Sequence, residues 1–383
     1  MNISFDALPL ISDKMSGVGY CQAGLVFNMI KLHPEDNYTF DYFSRKDHQI
    51  KEQRLEKYMS KNVSLNVAHH SGFLYRSIMN FIPIPYSHYF GTSADVTHFF
   101  NYVVPPKVHG KTVVTVHDMV IKAYPETVRA RTKYFLYTGL EKSMKRADVI
   151  VTDSYFSKSE IEKYYPKYSN KVKVVPCGVN LEKFHHMEDT AQVEAIKKKL
   201  GLDYEYFLYI GTIEPRKNLT RLIEGYSIFA EKYPECPKLV LAGGKGWLND
   251  DIYNSIKRLN LQDKAVFTDY IADSDMCGLI NGAMGFLFPS IYEGFGMPPL
   301  EAMACGVPVL TSHEASLPEV VGDSAILVDA YNVESIAEGI SKLYIDEELR
   351  AELSEMGLKQ AKKYTWESAS ETLHSIYKEL LNE

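Results

Sequence analysis

The stretch Phe288–Gly306 reads F-P-S-I-Y-E-G-F-G-M-P-P-L-E-A-M-A-C-G. The apolar run that leads into it, over 285–289, predicts a buried strand, and a glycine-bearing loop over 293–296 follows. The prolines at 298–299 predict the first turn of a short helix, because proline lacks the amide hydrogen that has no partner there, and Gly306 predicts its end. A strand, a loop and a helix start in this order are typical of parallel α/β folds that bind anionic ligands.

Two carboxylates, Glu293 and Glu301, bracket this loop with seven residues between them. Free amide groups at a helix N-terminus favour phosphate, whereas carboxylates repel phosphate and accept hydrogen bonds from hydroxyl groups. A site that offers both predicts a ligand that carries both, which is a nucleotide sugar. The alternative is a tight strand–helix corner with two solvated glutamates.

A second loop, G-T-I-E-P-R-K-N-L over Gly211–Leu219, also follows an apolar run. Arg216 can bind phosphate oxygens through paired hydrogen bonds, and Lys217 adds a mobile positive charge. Cations at a helix start oppose the helix dipole, so they indicate another purpose, such as neutralising a departing diphosphate. Two solvated side chains are the simpler alternative. Asn218 is predicted to cap the following helix.

The Glu-x7-Glu spacing and the second loop resemble motifs of retaining glycosyltransferases with the GT-B fold, in the family numbered four. The resemblance implies that Arg216 and Lys217 clamp the donor's pyrophosphate. It also implies that Glu293 lies beside the donor sugar and that Glu301 holds the nucleotide ribose. Further donor contacts are implied for Gly211, Tyr270, Ile271, Gly294, Phe295, Gly296, Met297 and Leu300.

Two motifs in the first half are less specific. The loop S-G-V-G-Y holds Gly17 and Gly19 and resembles the family's glycine-rich first loop near acceptor or diphosphate, although the usual arginine is absent; a plain tight turn is the alternative. His117 and Asp118 end an apolar strand, where side chains point toward the ligand-binding edge of a parallel sheet. The resemblance implies that His117 faces the donor sugar's hydroxyls without acting as a base, and a core histidine is the alternative.

Strand-like and helix-like segments alternate along all 383 residues, which predicts two doubly wound Rossmann-like domains facing a cleft. We expect an acceptor-binding domain over 1–185 and a nucleotide-sugar-binding domain over 186–364. The resemblance implies that a helix over 365–383 packs back on the first domain. Strands are predicted at Ile3–Leu8, Thr112–His117, Val149–Asp153, Val172–Val175, Tyr206–Ile210, Leu239–Ala242, Ala265–Phe267, Gly285–Phe288, Val307–Thr311 and Ala325–Val328.

Composition narrows the function classes. The net charge of −7 argues against a general nucleic-acid binder. Five cysteines without a C-x-x-C pair predict neither a disulfide framework nor a zinc site and suit a reducing cytoplasm. The start of the chain predicts a first strand and no signal peptide, and no apolar run approaches the roughly 18 residues of a membrane span.

No metal or other cofactor is predicted. Asp273-Ser274-Asp275 matches the D-x-D metal motif of the other major glycosyltransferase fold. It directly precedes a helical pattern, however, and Asp and Ser are common helix caps, so we interpret it as a helix start.

Charge and aromatic residues suggest a membrane surface as a partner. The segment Lys107–Lys173 holds 14 Lys and Arg against 7 Asp and Glu, a net +7, which leaves −14 for the rest of the chain. The segment 73–90, F-L-Y-R-S-I-M-N-F-I-P-I-P-Y-S-H-Y-F, interleaves aromatic and apolar residues. Both features suit peripheral attachment to the inner face of a membrane. A core helix or an oligomer contact is the alternative.

The predicted function is transfer of a hexose, with retention of configuration, from a nucleoside-diphosphate sugar to a hydroxyl of a glycan or polyprenyl-diphosphate-linked acceptor. The motifs look most like the mannosyltransferase branch of surface polysaccharide enzymes, so GDP-mannose is the first expected donor and a UDP-hexose the second. Two alternatives stay open: a nucleotide-sugar 2-epimerase, and a non-catalytic scaffold of the same fold that binds nucleotide or lipid.

Overall fold

The computed structural model describes residues 1–79, 81–244, 246, 250–268 and 271–382. The chain forms two compact units, one of Met1–Gly178 with Trp366–Glu383 and the other of Val179–Thr365. Each unit is built on a parallel sheet with helices between its strands, which confirms the predicted α/β class of two doubly wound domains.

The first unit holds a seven-stranded parallel sheet in the order β3-β2-β1-β4-β5-β6-β7. Its strands are β1 (Asn2–Asp6), β2 (Asn37–Phe43), β3 (Val63–Ala68), β4 (Val96–Phe99), β5 (Lys111–Thr115), β6 (Val149–Thr152) and β7 (Val172–Val174). Its helices before residue 178 are α1 (Gly17–Leu32), α2 (His48–Leu55), α3 (Gly72–Ile78), α4 (Ser87–Phe90), α5 (Val120–Ala123), α6 (Ala130–Arg146) and α7 (Tyr155–Tyr164).

Three strands of this sheet, β2, β3 and β4, were not predicted. Polar residues alternate with apolar ones along β2 and β3, as in N-Y-T-F-D-Y-F and V-S-L-N-V-A. Strands buried on both faces of a parallel sheet usually form continuous apolar runs, as the predicted strand β6, V-I-V-T, does. The order of the sheet could therefore not be predicted, because it includes strands whose composition differs from that of typical buried strands.

The second unit holds a six-stranded parallel sheet in the order β10-β9-β8-β11-β12-β13. Its helices and strands are α8 (Thr190–Lys199), β8 (Tyr206–Ile210), α9 (Leu219–Lys232), β9 (Lys238–Ala242), α10 (Asp250–Arg258), β10 (Ala265–Thr268), α11 (Met276–Asn281), β11 (Gly285–Phe288), α12 (Met297–Ala304), β12 (Val309–Ser312), α13 (Leu317–Val321), β13 (Ala325–Val328), α14 (Val333–Ile345) and α15 (Glu347–Ala361). All six predicted strands are present, because each is an apolar run.

The last helix, α16 (Trp366–Asn382), belongs to the first unit. It packs along α1: the Trp366 ring covers Gly24, where a β-carbon would lie 2.2 Å from the ring, and the Ser370 hydroxyl donates to the Leu25 carbonyl at 2.8 Å. Only glycine at position 24 allows the indole to approach the α1 backbone this closely.

The first unit ends at Gly178, ahead of the expected division after residue 185. The chain from Val179 onward bonds to the second unit: Val179 forms a bridge with Thr365, and the Met187 amide donates to the Asn281 side chain at 2.9 Å. Among the described residues, no helix is long and apolar enough to cross a membrane.

Candidate active site

Two loops of the second unit meet at the carboxyl ends of the neighbouring strands β8 and β11. The Ile291 amide donates to the Arg216 carbonyl at 3.0 Å, and the Asn218 side-chain amide donates to the Pro289 carbonyl at 3.0 Å. Asn218 occupies the predicted cap position of α9, but its side chain makes no capping hydrogen bond. It joins the two loops instead.

The Glu293–Gly296 loop then leads into α12. Gly296 precedes the helix with φ of 111°, a left-handed value that other residues avoid, and a β-carbon there would lie 2.9 Å from the Leu317 side chain. The Ser316 hydroxyl donates to the Glu293 and Phe295 carbonyls at 2.9 and 2.7 Å. The loop is thus held from within the second unit, with its shape set before any ligand binds.

The structure brings Arg216, Lys217 and Glu293 together. Arg216 donates through Nη1 to Glu293 Oε2 at 2.9 Å, and Lys217 Nζ donates to Glu293 Oε1 at 2.6 Å. The second guanidinium nitrogen, Nη2, donates to Glu214 Oε1 at 2.9 Å. The Ser290 hydroxyl adds a further hydrogen bond to Glu293 Oε1 at 2.6 Å. Two cations and two carboxylates therefore form one connected network.

This network is removed from solvent, since Glu214, Lys217 and Glu293 are each less than a tenth exposed. Burial alone would raise the pKa of Glu293, but the charges of Arg216 and Lys217 hold it below its ordinary value. Glu293 is accordingly an ionised group at neutral pH. Buried ion pairs of this kind are costly to break one partner at a time, so the network fixes both cations in position.

Glu301 has the opposite environment. It lies on α12, half-buried, and its carboxylate makes no hydrogen bond or ion pair with any residue that the structure describes. Burial raises its pKa to about 7, while Lys183 opposes and Asp273 adds to this rise. A half-buried carboxylate without a partner is suited to accept hydrogen bonds from ligand hydroxyls.

Several side chains predicted to contact the donor are in the core. Ile271, Phe295 and Leu300 are almost fully buried, and the Phe295 ring packs against Tyr364. They can reach a ligand only through their backbone groups. Met297 is half-buried at the start of α12, and Gly294 lies in the preceding loop. Tyr270 falls outside the described residues.

Gly211 follows β8 and lies against the next loop of the second unit. Its amide donates to the Ala242 carbonyl at 3.0 Å, and a β-carbon on Gly243 would lie 1.9 Å from the Gly211 carbonyl oxygen. The two glycines let these neighbouring loops approach each other at the carboxyl edge of the sheet.

His117 belongs to the first unit and is buried with both ring nitrogens engaged. Nδ1 lies 2.7 Å from Asp153 Oδ2, and Nε2 lies 2.8 Å from the Phe100 carbonyl oxygen. Both partners are acceptors, so both nitrogens carry protons. Burial disfavours this charged form, but the Asp153 carboxylate raises the pKa of His117 to about 10. His117 is therefore a poor base, and it can donate to a sugar hydroxyl only by giving up one of these bonds.

The glycine-rich loop enters α1 directly. Gly17 is the first residue of the helix, and a β-carbon on Gly19 would lie 2.5 Å from the Met15 side chain. Gly19 is thus required by local packing. The thiols of Cys21, two residues further on, and Cys177 lie 3.5 Å apart beside Asp153, and both are free.

The D-x-D match is engaged in ion pairs. Lys183 lies 3.2 Å from Asp273, and Lys199 donates to both Asp275 oxygens at 2.8 Å. Asp275 occupies the cap position of α11, which confirms the predicted helix start, although its side chain makes no capping hydrogen bond.

Sequence reasoning missed Glu214, Ser290 and Asp153. Glu214 lies two residues before Arg216 in the quoted loop, and Ser290 lies three before Glu293. Asp153 ends the strand beside that of His117, at the same edge of the sheet. A search for polar residues at adjacent carboxyl ends of strands could have found Asp153.

Two family profiles match the chain. The profile described as glycosyl transferases group 1 matches residues 192–360, and the one described as glycosyltransferase family 4 matches residues 38–183. Together they span most of both units.

Characterised relatives carry mannosyltransferase names. The chain is 32% identical over 284 residues to O-antigen chain mannosyltransferase B of Escherichia coli, which covers 74% of each protein. It is 29% identical to O-antigen chain mannosyltransferase RfbU of Salmonella typhimurium, over 60% of this chain and 62% of that one.

Solved structures share the fold. Sucrose-phosphate synthase of Thermosynechococcus elongatus superposes with a TM-score of 0.75 at 18% identity, over 100% of this chain and 99% of that one. Anabaena HepE in complex with UDP-glucose superposes with a TM-score of 0.75 at 16% identity, over 99% of this chain and 100% of that one.

Proposed function

The chain belongs to the family 4-like glycosyltransferases of the GT-B fold, and from this premise we propose that it is a retaining hexosyltransferase of polysaccharide biosynthesis. The donor would be a nucleoside-diphosphate hexose, with GDP-mannose first, because similar proteins are named mannosyltransferases. The acceptor would be a hydroxyl of a glycan or of a polyprenyl-diphosphate-linked oligosaccharide.

The observation that carries this proposal is the Arg216–Lys217–Glu293 network. When the glycosidic bond breaks, negative charge develops on the β-phosphate of the leaving diphosphate. Arg216 and Lys217 are already fixed and largely desolvated, so they would stabilise that charge without reorganising at the moment of reaction. The same cations would serve where a divalent metal serves in other transferases, so we propose a metal-independent reaction.

The network also explains why Glu293 need not be the nucleophile. Each of its oxygens accepts a hydrogen bond from a cation, and the Ser290 hydroxyl adds another. A carboxylate engaged in this way is a weakened nucleophile, and it suits orientation of the sugar hydroxyls or of the cations themselves. Glu301, without such partners, would hold the ribose.

Attachment to a membrane surface is proposed for the first unit. Phe73, Leu74, Phe81 and Ile82 are all more than half exposed. Basic residues lie among them: the Arg131 guanidinium is 4.7 Å from the Phe73 ring centre, and the Lys142 ammonium is 5.9 Å from that of Phe81. Exposed aromatics beside cations suit a headgroup region of anionic lipid, where a lipid-linked acceptor would be found.

The test is product analysis with purified protein. GDP-mannose and, separately, UDP-glucose are incubated with the protein, with and without a polyprenyl-diphosphate-linked oligosaccharide. Release of the nucleoside diphosphate and the anomeric configuration of the product are followed by NMR. We expect an acceptor-dependent α-linked product, with Arg216→Ala as the inactive control. Conversion of the nucleotide sugar without acceptor would instead indicate the epimerase, and binding without turnover the scaffold. An inverted linkage would refute retention.

A further inference from the structure

One half of the first unit's sheet is polar on one face. Residues that pair in register in a parallel sheet lie on the same face. Ser4 pairs with Thr39 and with Thr97, Thr39 pairs with Ser64, and Asp41 pairs with Asn66. The alternate residues of the same strands, on the other face, are mostly apolar. They include Ile3, Phe5, Tyr38, Phe40, Leu65 and Val96.

This polarity is unexpected for a parallel sheet, whose two faces are normally covered by apolar helix surfaces. A departure from that rule usually marks a functional or strained position. The polar face here borders a cavity of about 140 Å³, lined by Asn37, Thr39, Asp41, Asn66, Thr97 and His109 among others. Roughly ten water molecules, or one sugar ring, would fill such a volume.

The cavity lies at the edge of the sheet opposite to the candidate catalytic residues of the same unit. Its lining includes the first residues of β1 and β2 and the segments that precede β4 and β5, while Asp41 and Asn66 lie further along β2 and β3. Gly17 and His117, by contrast, follow the carboxyl ends of β1 and β5. The cavity is therefore separate from the edge at which sheets of this class hold their reacting ligands.

Asp41 is the acidic group of this cavity and lacks a full set of partners. It is 3% exposed, and its Oδ2 accepts hydrogen bonds from the Ser4 hydroxyl at 2.6 Å and the Tyr86 hydroxyl at 3.1 Å. Its Oδ1 has no hydrogen-bond partner within the described part of the chain, and no cation there pairs with it. Asp6, its in-register partner on β1, is by contrast paired with Arg76 at 2.8 Å. A buried acceptor without a donor is costly to folding, so stability alone does not account for Asp41 at this position.

The other residues that line the cavity indicate which chemical class of ligand it can bind. Among the described residues that line the cavity there is no lysine or arginine, which argues against phosphate or carboxylate ligands. Side-chain amides and hydroxyls predominate, and each offers both a donor and an acceptor, or can act as either. Sugar hydroxyls have the same double character, whereas an ammonium group only donates. Neutral sugar fits this lining best.

We propose that this cavity, closed at its base by Asp41, is a non-catalytic saccharide subsite that holds one pyranose unit of a glycan. The source of that glycan rests on the proposed function, in which the chain extends a polysaccharide. A subsite on the far edge of the acceptor-side unit would retain the growing chain between successive transfers. The binding itself needs no transferase activity.

The experiment is saturation-transfer NMR with methyl α-mannopyranoside and methyl α-glucopyranoside on the full-length protein. Asp41→Asn keeps the size of the side chain but replaces one carboxyl oxygen with an amide group, and we expect a loss of affinity of about tenfold. Ser93→Tyr acts from an exposed loop position that lines the cavity, and we expect it to block binding by steric exclusion. Ser60→Ala is the control, because it removes an exposed hydroxyl of the same unit that lies outside the cavity lining.

Equal saturation transfer in wild type, Asp41→Asn and Ser93→Tyr would overturn the subsite, as would the absence of binding in the folded wild-type protein. If Asp41→Asn does not fold, Ser93→Tyr alone decides. Transfer to a short acceptor is expected to be unchanged in Ser93→Tyr, while products become shorter. Saccharide binding without any transfer would refute the proposed function and leave the subsite standing. Sugar transfer together with saccharide binding that is the same in wild type and variants would refute the subsite and leave the proposed function standing.

Discussion

Replacing Glu301 with glutamine is expected to stabilise the protein and weaken donor binding at the same time. The folded protein raises the pKa of this carboxyl from 4.5 to about 7, so its ionisation opposes folding. That rise corresponds to at most about 3 kcal/mol. Because the side chain is half-buried and water screens part of the effect, we expect a gain of about 1–2 kcal/mol in Glu301→Gln.

The size of this stability gain depends on pH. Below pH 4.5 the carboxyl is protonated in both the folded and the unfolded chain, and the substitution should change little. As pH rises from 4.5 through 7, the unfolded chain loses the proton first, and the stability that the protonated form contributes is lost. The advantage of glutamine should therefore grow across this window and stay constant above it, giving a rise in Tm of roughly 2–8 °C at pH 8.

The assay is calorimetry of wild type and Glu301→Gln between pH 4.5 and 8. The exposed Glu352→Gln on α15 is the control. Lys183 and Asp273 are the charged groups that shift the pKa of the Glu301 carboxyl. The Cys305 thiol lowers the pKa of its neighbour Cys277 to about 6, in the same window, so the series is repeated with Cys277→Ser.

Donor affinity is measured in parallel. Loss of a charged hydrogen-bond acceptor for the ribose should raise the Kd for the nucleotide sugar by about tenfold with little change in kcat, since a ribose contact is similar in the ground and transition states. A lower Tm at pH 8, or a gain that is equal at both ends of the pH range, would refute the account of Glu301. Unchanged donor affinity would refute its role at the ribose while leaving the stability argument intact.

The other predictions concern the cations, metal and membrane. Arg216→Ala should lower kcat/KM by roughly 10²–10³ in steady-state assays; it should also cost about 3 kcal/mol of stability on chemical unfolding, since Glu214 and Glu293 lose a buried partner. Wild-type kinetics would remove Arg216 from the mechanism. Activity should survive EDTA; abolition by EDTA with rescue by manganese would contradict the cationic clamp. The double variant Phe73→Ser with Phe81→Ser should abolish co-sedimentation with anionic vesicles. Binding to vesicles that does not change with the double variant, with lipid charge or with salt would contradict the proposed membrane attachment.

The candidate donor-binding loops could be located from the sequence because their signals are local. Arg216 and Lys217 are adjacent, and Glu293 lies in a loop whose glycines and prolines announce a strand–helix corner. The structure adds that these groups neutralise one another, which no spacing reveals, since the pairing joins residues in the loops that follow two different strands. For the same reason the buried positions of Leu300 and Phe295 depend on packing that the motif does not encode.

The first unit was harder to predict, and the reason is physical. Apolar runs reveal β5 and β6, but β2 and β3 alternate polar and apolar residues, so the pattern resembles half-exposed strands and conceals their place inside a parallel sheet. The residues that disguise these strands include Thr39, Asp41 and Asn66, which line the cavity. Apolar side chains there would make the strands easy to recognise and would stabilise the sheet more. The polar row at these positions therefore makes the strands harder to recognise and the sheet less stable. Such a pattern is expected where ligand binding, rather than folding, determines which residues are present.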